Sequence, residues 1–219
     1  MIFVNFKTYQ ESTGEKAVAL AKIIEEVATL TQIKIIPVVQ AMDIWEIAQG
    51  SKCEVWAQGT DAFEYGAHTG SILPEAVFED GARGTFLNHS ENKFADFAEL
   101  EKANIRAKEV GLKTLIFAAT LDEIRKIMLI KPDYVAYEPP ELIGSATDSV
   151  ATAQPEIISQ AVEIAKGFGI PLIVGAGIHD ANDIRTSLRL GAVGFAIASG
   201  IIKAVDQKAA LVELTEGYK

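Results

Sequence analysis

Residues Tyr134 to Ser145 read YVAYEPPELIGS: a short, uncharged, β-prone run, one acid at Glu138, then two prolines. Tyr134 to Tyr137 have the composition of a buried strand. Pro139 and Pro140 lack the N–H that a sheet ladder uses, so Glu138 stands where the strand ends. A carboxylate there has a half-desolvated backbone behind it and a non-sheet segment ahead, a setting that keeps a base reactive. Taken alone, Glu138 reads more readily as a solvated acid before a turn. The rest of the chain decides between the two.

The same kind of run recurs outward in both directions. Ile2 to Phe6, Ile33 to Val38, Glu54 to Ala57, Gly84 to Leu87, Thr114 to Ala118, Pro171 to Val174 and Gly194 to Ile197 join Tyr134 to Tyr137 to make eight β-rich runs. Segments with helical spacing of apolar residues separate them. Glu15 to Thr29 is the clearest, with Val18, Ile23 and Val27 set among Lys16, Lys22, Glu25 and Glu26. Ala95 to Val110, Pro155 to Phe168, Ala181 to Leu190 and Ile201 to Leu214 follow suit, with Asp180 as an N-cap. Apolar strands alternating with amphipathic helices imply a parallel sheet covered by helices, and eight units imply an α/β fold of the (β/α)8 barrel type. A doubly wound dinucleotide-binding sheet alternates in the same way, but would carry a glycine-rich fingerprint after its first strand. Here that place reads Asn5-Phe6-Lys7-Thr8-Tyr9. No linker divides residues 1–219, so a single barrel domain with short helices is expected.

Composition narrows the partners. The 219 residues hold 20 basic and 30 acidic side chains, a formal net charge of −10, which argues against nucleic acid or an anionic membrane surface. Any anionic ligand then needs a dedicated local site. The lone Cys53 leaves no internal disulfide or cysteine-ligated metal cluster and suits a reducing compartment; it reads as a small buried hydrophobe. No leader-like or membrane-spanning run is evident, and a cytoplasmic protein is expected.

In a barrel of this kind the loops after the strands build the site. Those positions hold the unusual residues: Asn5 and Lys7 after the first run, His89 and Glu91 after the fourth, and Glu138 after the sixth. Gly175-Ala176-Gly177 follow the seventh and Ala198-Ser199-Gly200 the eighth. Lys7 at an apolar strand end calls for an anionic partner. The two small-residue turns would let backbone N–H groups approach phosphate oxygens.

The ordered motifs resemble those of the triosephosphate isomerase family, and the short length resembles its archaeal branch. NFKTYQESTG (Asn5 to Gly14) is similar to the family's opening Asn-x-Lys motif, and FLNHSEN (Phe86 to Asn92) to its His-Ser-Glu motif. AYEPPELIGS (Ala136 to Ser145) resembles the catalytic glutamate and its lid, VGAGI and AIASG the two phosphate loops, and GAHTG (Gly66 to Gly70) a loop inserted into a neighbouring subunit. The resemblance implies interconversion of dihydroxyacetone phosphate and glyceraldehyde 3-phosphate, a step of glycolysis and gluconeogenesis, through an enediolate and without a cofactor or metal. It implies Glu138 as base, His89 as the group acting on the substrate oxygens, and Lys7 as the compensating cation. Asn5 would hold substrate and Lys7, and Glu91 would support them. The backbone N–H groups of Ile143, Gly177, Ala198 and Ser199 would hold phosphate, with Pro139 to Thr147 closing as a flap. A homo-oligomer, dimer or tetramer, is implied, with Thr69 of one chain buttressing Asn5 and Lys7 of another.

Two further readings stand beside this one: another barrel enzyme on a phosphorylated metabolite, such as an aldolase or epimerase, and a non-catalytic phosphometabolite-binding protein. A Schiff-base aldolase would want a lysine where Glu138 ends the sixth run. A binding protein would be expected to have lost Lys7, His89 or Glu138. Where many relatives carry a cysteine after the fifth run, this chain has Phe117-Ala118-Ala119-Thr120, expected to serve packing alone. His68 and His179 are expected outside the chemistry, and Trp45 and Trp56 in packing.

Overall fold

The computed structural model describes residues 1–139 and 155–219. Eight parallel strands close into a barrel in sequence order: β1 Ile2–Asn5, β2 Ile35–Val39, β3 Trp56–Ala57, β4 Gly84–Leu87, β5 Lys113–Ala118, β6 Tyr134–Tyr137, β7 Leu172–Val174 and β8 Gly194–Ile197. Closure is made by β1 pairing with β8, Ile2 opposite Phe195 and Val4 opposite Ile197. The strand starts expected at Ile33, Glu54 and Pro171 move inward by one or two residues. The charged side chains there pair outside the ladder, Lys34 with Glu54 at 2.6 Å.

Around the barrel lie α1 Glu15–Thr31, α2 Ile44–Gly50, α3 Pro74–Glu79, α4 Phe97–Val110, α5 Leu121–Leu129, α6 Pro155–Gly167, α7 Ala181–Arg189, α8 Ser199–Ile202 and α9 Gln207–Thr215. The longer ones are amphipathic in the expected way; α1 buries Ala17, Leu20, Ala21, Ile24 and Val27 along one stripe. Side chains start several of them. Asp96, Thr120, Asp180 and Asp206 accept from the first-turn N–H groups of α4, α5, α7 and α9. The last cap corrects the expectation of one helix from Ile201 to Leu214. Asp206 starts α9 afresh, α8 is a separate short turn, and the fully exposed Val205 lies between them.

Alternation along the strands sorts the core into two parts. Outward-facing residues pack against the helices, whereas Phe3, Ile36, Val38, Trp56, Phe86, Leu115, Phe117, Ala136, Ile173 and Ala196 fill the barrel interior. Their rings meet edge to face, Phe3 with Trp56 at 4.9 Å and Phe86 with Phe117 at 4.8 Å. Gly84 is glycine because a Cβ there would strike the Trp56 ring at 2.3 Å. Trp56 thus packs as expected, but Trp45 on α2 is 57 % exposed and does not. Cys53 is half-buried beside α1, its Sγ 3.6 Å from the Ala21 carbonyl, and burial pushes the thiol up to about 11. A thiol so placed carries little of the reactive thiolate.

The same alternation prepares the site. Counting on by two from Phe3, Ala136, Ile173 and Ala196 gives Asn5, Glu138, Gly175 and Ala198, all on the interior side at the C-terminal mouth. There the seventeen-residue lining of a cavity of about 420 Å3 includes these four with Lys7, His89, Glu91, Gly177 and Ser199.

Candidate active site

Lys7 leaves β1 in a left-handed conformation, φ +48°. Asn5 Oδ1 accepts its N–H at 3.0 Å, and Gln58, just past β3, donates from Nε2 to its carbonyl at 2.8 Å. A strained residue held at both backbone ends marks a position where the surroundings impose the geometry. Its ammonium meets Glu91 Oε1 at 2.7 Å, the anionic partner that its strand-end position demanded.

His89 is buried and edge-on to the Phe117 ring at 4.8 Å. The Glu91 N–H donates to its Nδ1 at 3.1 Å. An Nδ1 that accepts bears no hydrogen, so the neutral ring carries its proton on Nε2. Burial first, and the Lys7 ammonium second, hold its pKa well below the ordinary imidazole value, against an opposing pull from Glu91. Nε2 lies 3.4 Å from Glu138 Oε1.

Glu138 is 5 % exposed. Its Oε2 accepts from the Ser90 N–H at 3.3 Å. Burial raises its carboxyl above the usual range, and this prevails over the lowering by Ser90 and by the Lys7 charge. Opposite, Gly175 donates to the Tyr137 carbonyl at 2.8 Å, and a Cβ on it would come within 3.2 Å of Glu138 Cβ. Gly177 turns with φ +64°, a conformation suited to glycine. β8 ends against the first turn of α8, whose early N–H groups lack intrahelical acceptors.

Three other lining residues were not singled out for the site from sequence. Tyr9 follows Lys7 by two positions and carries Lys203 Nζ over its ring at 4.4 Å; Phe117 is on the interior parity of β5; His179 follows the β7 turn. Parity would have found Phe117, and strand-end placement His179. His68 lies elsewhere, stacked on Phe63 at 4.2 Å. Thr69 is exposed on the β3–α3 segment and does not line the cavity. Ile143 and the flap beyond Pro139 lie outside the described residues. Among the described residues, no group of three or more His, Cys, Asp and Glu is placed to hold a metal, and no helix is long and apolar enough to cross a membrane.

A buried carboxylate with a raised pKa, a neutral imidazole presenting Nε2–H and a fixed ammonium on one cavity wall can together move a proton next to a carbonyl while meeting the charge that forms on oxygen. Fold and site define a barrel enzyme of the proton-transferring isomerase class. The family model described as triosephosphate isomerase matches residues 1–117 and 101–216. The triosephosphate isomerase of Methanobacterium bryantii is 42 % identical over 98 % of this chain and 95 % of its own, and that of Saccharolobus solfataricus is 42 % identical over 94 % and 90 %. The crystal structure of triosephosphate isomerase from Bartonella henselae superposes with a TM-score of 0.75 over 96 % of each chain at 19 % identity, a likeness of fold. The chain belongs to the triosephosphate isomerase family, and its activity is an aldose–ketose isomerisation.

Proposed function

We propose that Glu138, His89 and Lys7 carry the interconversion of dihydroxyacetone phosphate and glyceraldehyde 3-phosphate in this chain. The observation that carries the assignment is the neutral His89, with Nδ1 occupied by the Glu91 N–H and Nε2 directed at the region of the Glu138 carboxylate. In the forward step Glu138 takes a proton from the carbon beside the carbonyl. The C–H electron pair becomes the enediolate double bond, and the carbonyl pair moves to oxygen. His89 Nε2–H donates to that oxygen, then mediates proton exchange between the two oxygens. Glu138 returns its proton to the neighbouring carbon, leaving enzyme and charge unchanged. A Glu base with a neutral His is the pattern for which triosephosphate isomerase is the standard example.

Lys7 offsets charge on the enediolate and phosphate, with Asn5 and Glu91 holding it. The N–H groups of Gly177, Ala198 and Ser199 receive the phosphate. The single half-buried cysteine favours a cytoplasmic setting. The pH profile of kcat/KM tests the base. Burial places the free enzyme's Glu138 pKa above the usual carboxylate range. Activity needs the ionised form, so kcat/KM falls with unit slope as pH drops through that raised value, while His89 stays neutral. An acid limb within or below the usual carboxylate range speaks against the assignment.

We also propose that the chain assembles as a homo-oligomer in which the exposed Thr69 segment of one copy supports Asn5 and Lys7 of another. Support comes from that segment's exposure, together with Tyr65 at 70 %, and from the tethered but strained backbone at Lys7. Thr69→Arg is expected to yield a monomer with kcat/KM lowered by about 10²-fold, the scale of a small misplacement of catalytic groups. Sedimentation and a rate assay check this, and a monomer with full turnover overturns it.

A further inference from the structure

Strand alternation makes a prediction at β4 that the site violates. Phe86 points into the barrel and Leu87 into the helix-facing core. Continuing the extended chain would place Asn88 inward and His89 outward among the helices. Yet His89 lines the substrate cavity, whereas Asn88 lines the groove between α4 and α5. The reversal occurs at Asn88, whose φ is +58°, and no glycine supplies it. Asparagine visits this region more readily than most residues. Here its side chain is tied on both sides: Nδ2 donates to the Phe117 carbonyl of β5 at 3.0 Å, and Oδ1 accepts from the Phe94 N–H at 3.4 Å. Phe117 is the residue whose ring meets His89 edge-on. Downstream, the turn is closed by the Asn92 N–H on the His89 carbonyl at 2.8 Å and the Glu91 N–H on Nδ1.

From this we infer that Asn88 is a positioning residue: its left-handed backbone, a conformation open to asparagine and glycine but not to most residues, makes the turn that brings His89 from the helix side of β4 into the cavity and so fixes the Nε2–H tautomer, with its amide tying the turn to β5 and Phe94. Asn88 does not touch the reacting atoms. The inference rests on the role proposed for His89, and His89→Gln serves as its control.

Asn88→Ala removes both the clamp and the residue type that tolerates positive φ, whereas Asn88→Gly removes the clamp alone. In Asn88→Ala, kcat is expected to fall tenfold or more with KM within about twofold of native, as for a catalytic group displaced by a fraction of an ångström. Nitrogen chemical shifts of the His89 ring, which report pure Nε2–H in the native protein, become a mixture of the two neutral tautomers. Asn88→Gly recovers at least a third of native kcat and the native tautomer. A smaller loss in folded Asn88→Ala, an unchanged tautomer in it, or a glycine variant below a third of native kcat overturns the inference. If Asn88→Ala fails to fold, the glycine variant decides alone by the same threshold. Full activity in His89→Gln would instead remove the role of His89 itself, so the two failures are distinguishable.

Discussion

Glu138→Gln is expected to keep the barrel and to lose about 10²- to 10⁴-fold in kcat/KM, the range a positioned general base contributes. Glutamine preserves the size of the side chain and can still accept from the Ser90 N–H. It cannot take a proton. The loss should fall on kcat, with little change in KM, because the loops after β7 and β8 proposed to hold the phosphate are untouched. Stability should not fall with it. The folded pKa of Glu138 is raised, so its ionisation destabilises the fold; that cost is absent below the unfolded pKa and complete once pH exceeds the folded one. At neutral pH a neutral glutamine removes the cost, and the variant should melt no lower than native. A variant with near-native turnover of glyceraldehyde 3-phosphate would assign the base elsewhere.

Lys7→Met is expected to lower kcat/KM by about 10²- to 10³-fold, the scale of removing one preorganised stabilising group. The change keeps most of the aliphatic stem and removes the only ammonium lining the cavity among the described residues. Two groups then lose their partner. The developing oxyanion loses its compensating charge, and Glu91, which pairs with Lys7 at 2.7 Å, adds an unbalanced negative charge beside a site for a phosphate ester. KM should therefore rise as kcat falls, which separates Lys7→Met from Glu138→Gln. Inhibition by inorganic phosphate should weaken in parallel. A variant that loses kcat while binding phosphate as native does would confine Lys7 to the reacting oxygens.

The barrel was legible because continuous burial writes its strands as short apolar runs, and Gly84–Leu87, Tyr134–Tyr137 and Gly194–Ile197 fall where the residues placed them. The site was legible because in such a barrel the loops after the strands build it, which put Asn5, Lys7, His89, Glu91 and Glu138 at one mouth. Interior parity in the structure agrees for Asn5, Glu138 and Ala198. What sequence did not reveal depends on contacts between distant segments. The split between α8 and α9 turns on Asp206 capping a new helix. The left-handed Lys7 is sustained by Gln58, fifty-one residues away, and nothing local announces it. The turn at Asn88, whose φ is +58° without a glycine, is tied to the Phe117 carbonyl twenty-nine residues away, and strict alternation of β4 would point His89 to the other side. Glu91 looked like a second support for the site in general, whereas its two parts serve different neighbours: the carboxylate holds Lys7 and the backbone N–H sets the tautomer of His89.

The central claim is that Glu138 removes a carbon-bound proton and that an enediolate forms in the cavity. The most direct measurement is deuterium at the carbon beside the carbonyl in dihydroxyacetone phosphate made from glyceraldehyde 3-phosphate by the native protein in heavy water. A protonated carboxyl exchanges with solvent while the enediolate is bound, so the product should carry deuterium at that carbon. Product formed at the native rate with no deuterium there would contradict proton transfer through a solvent-exchanging Glu138 carboxyl.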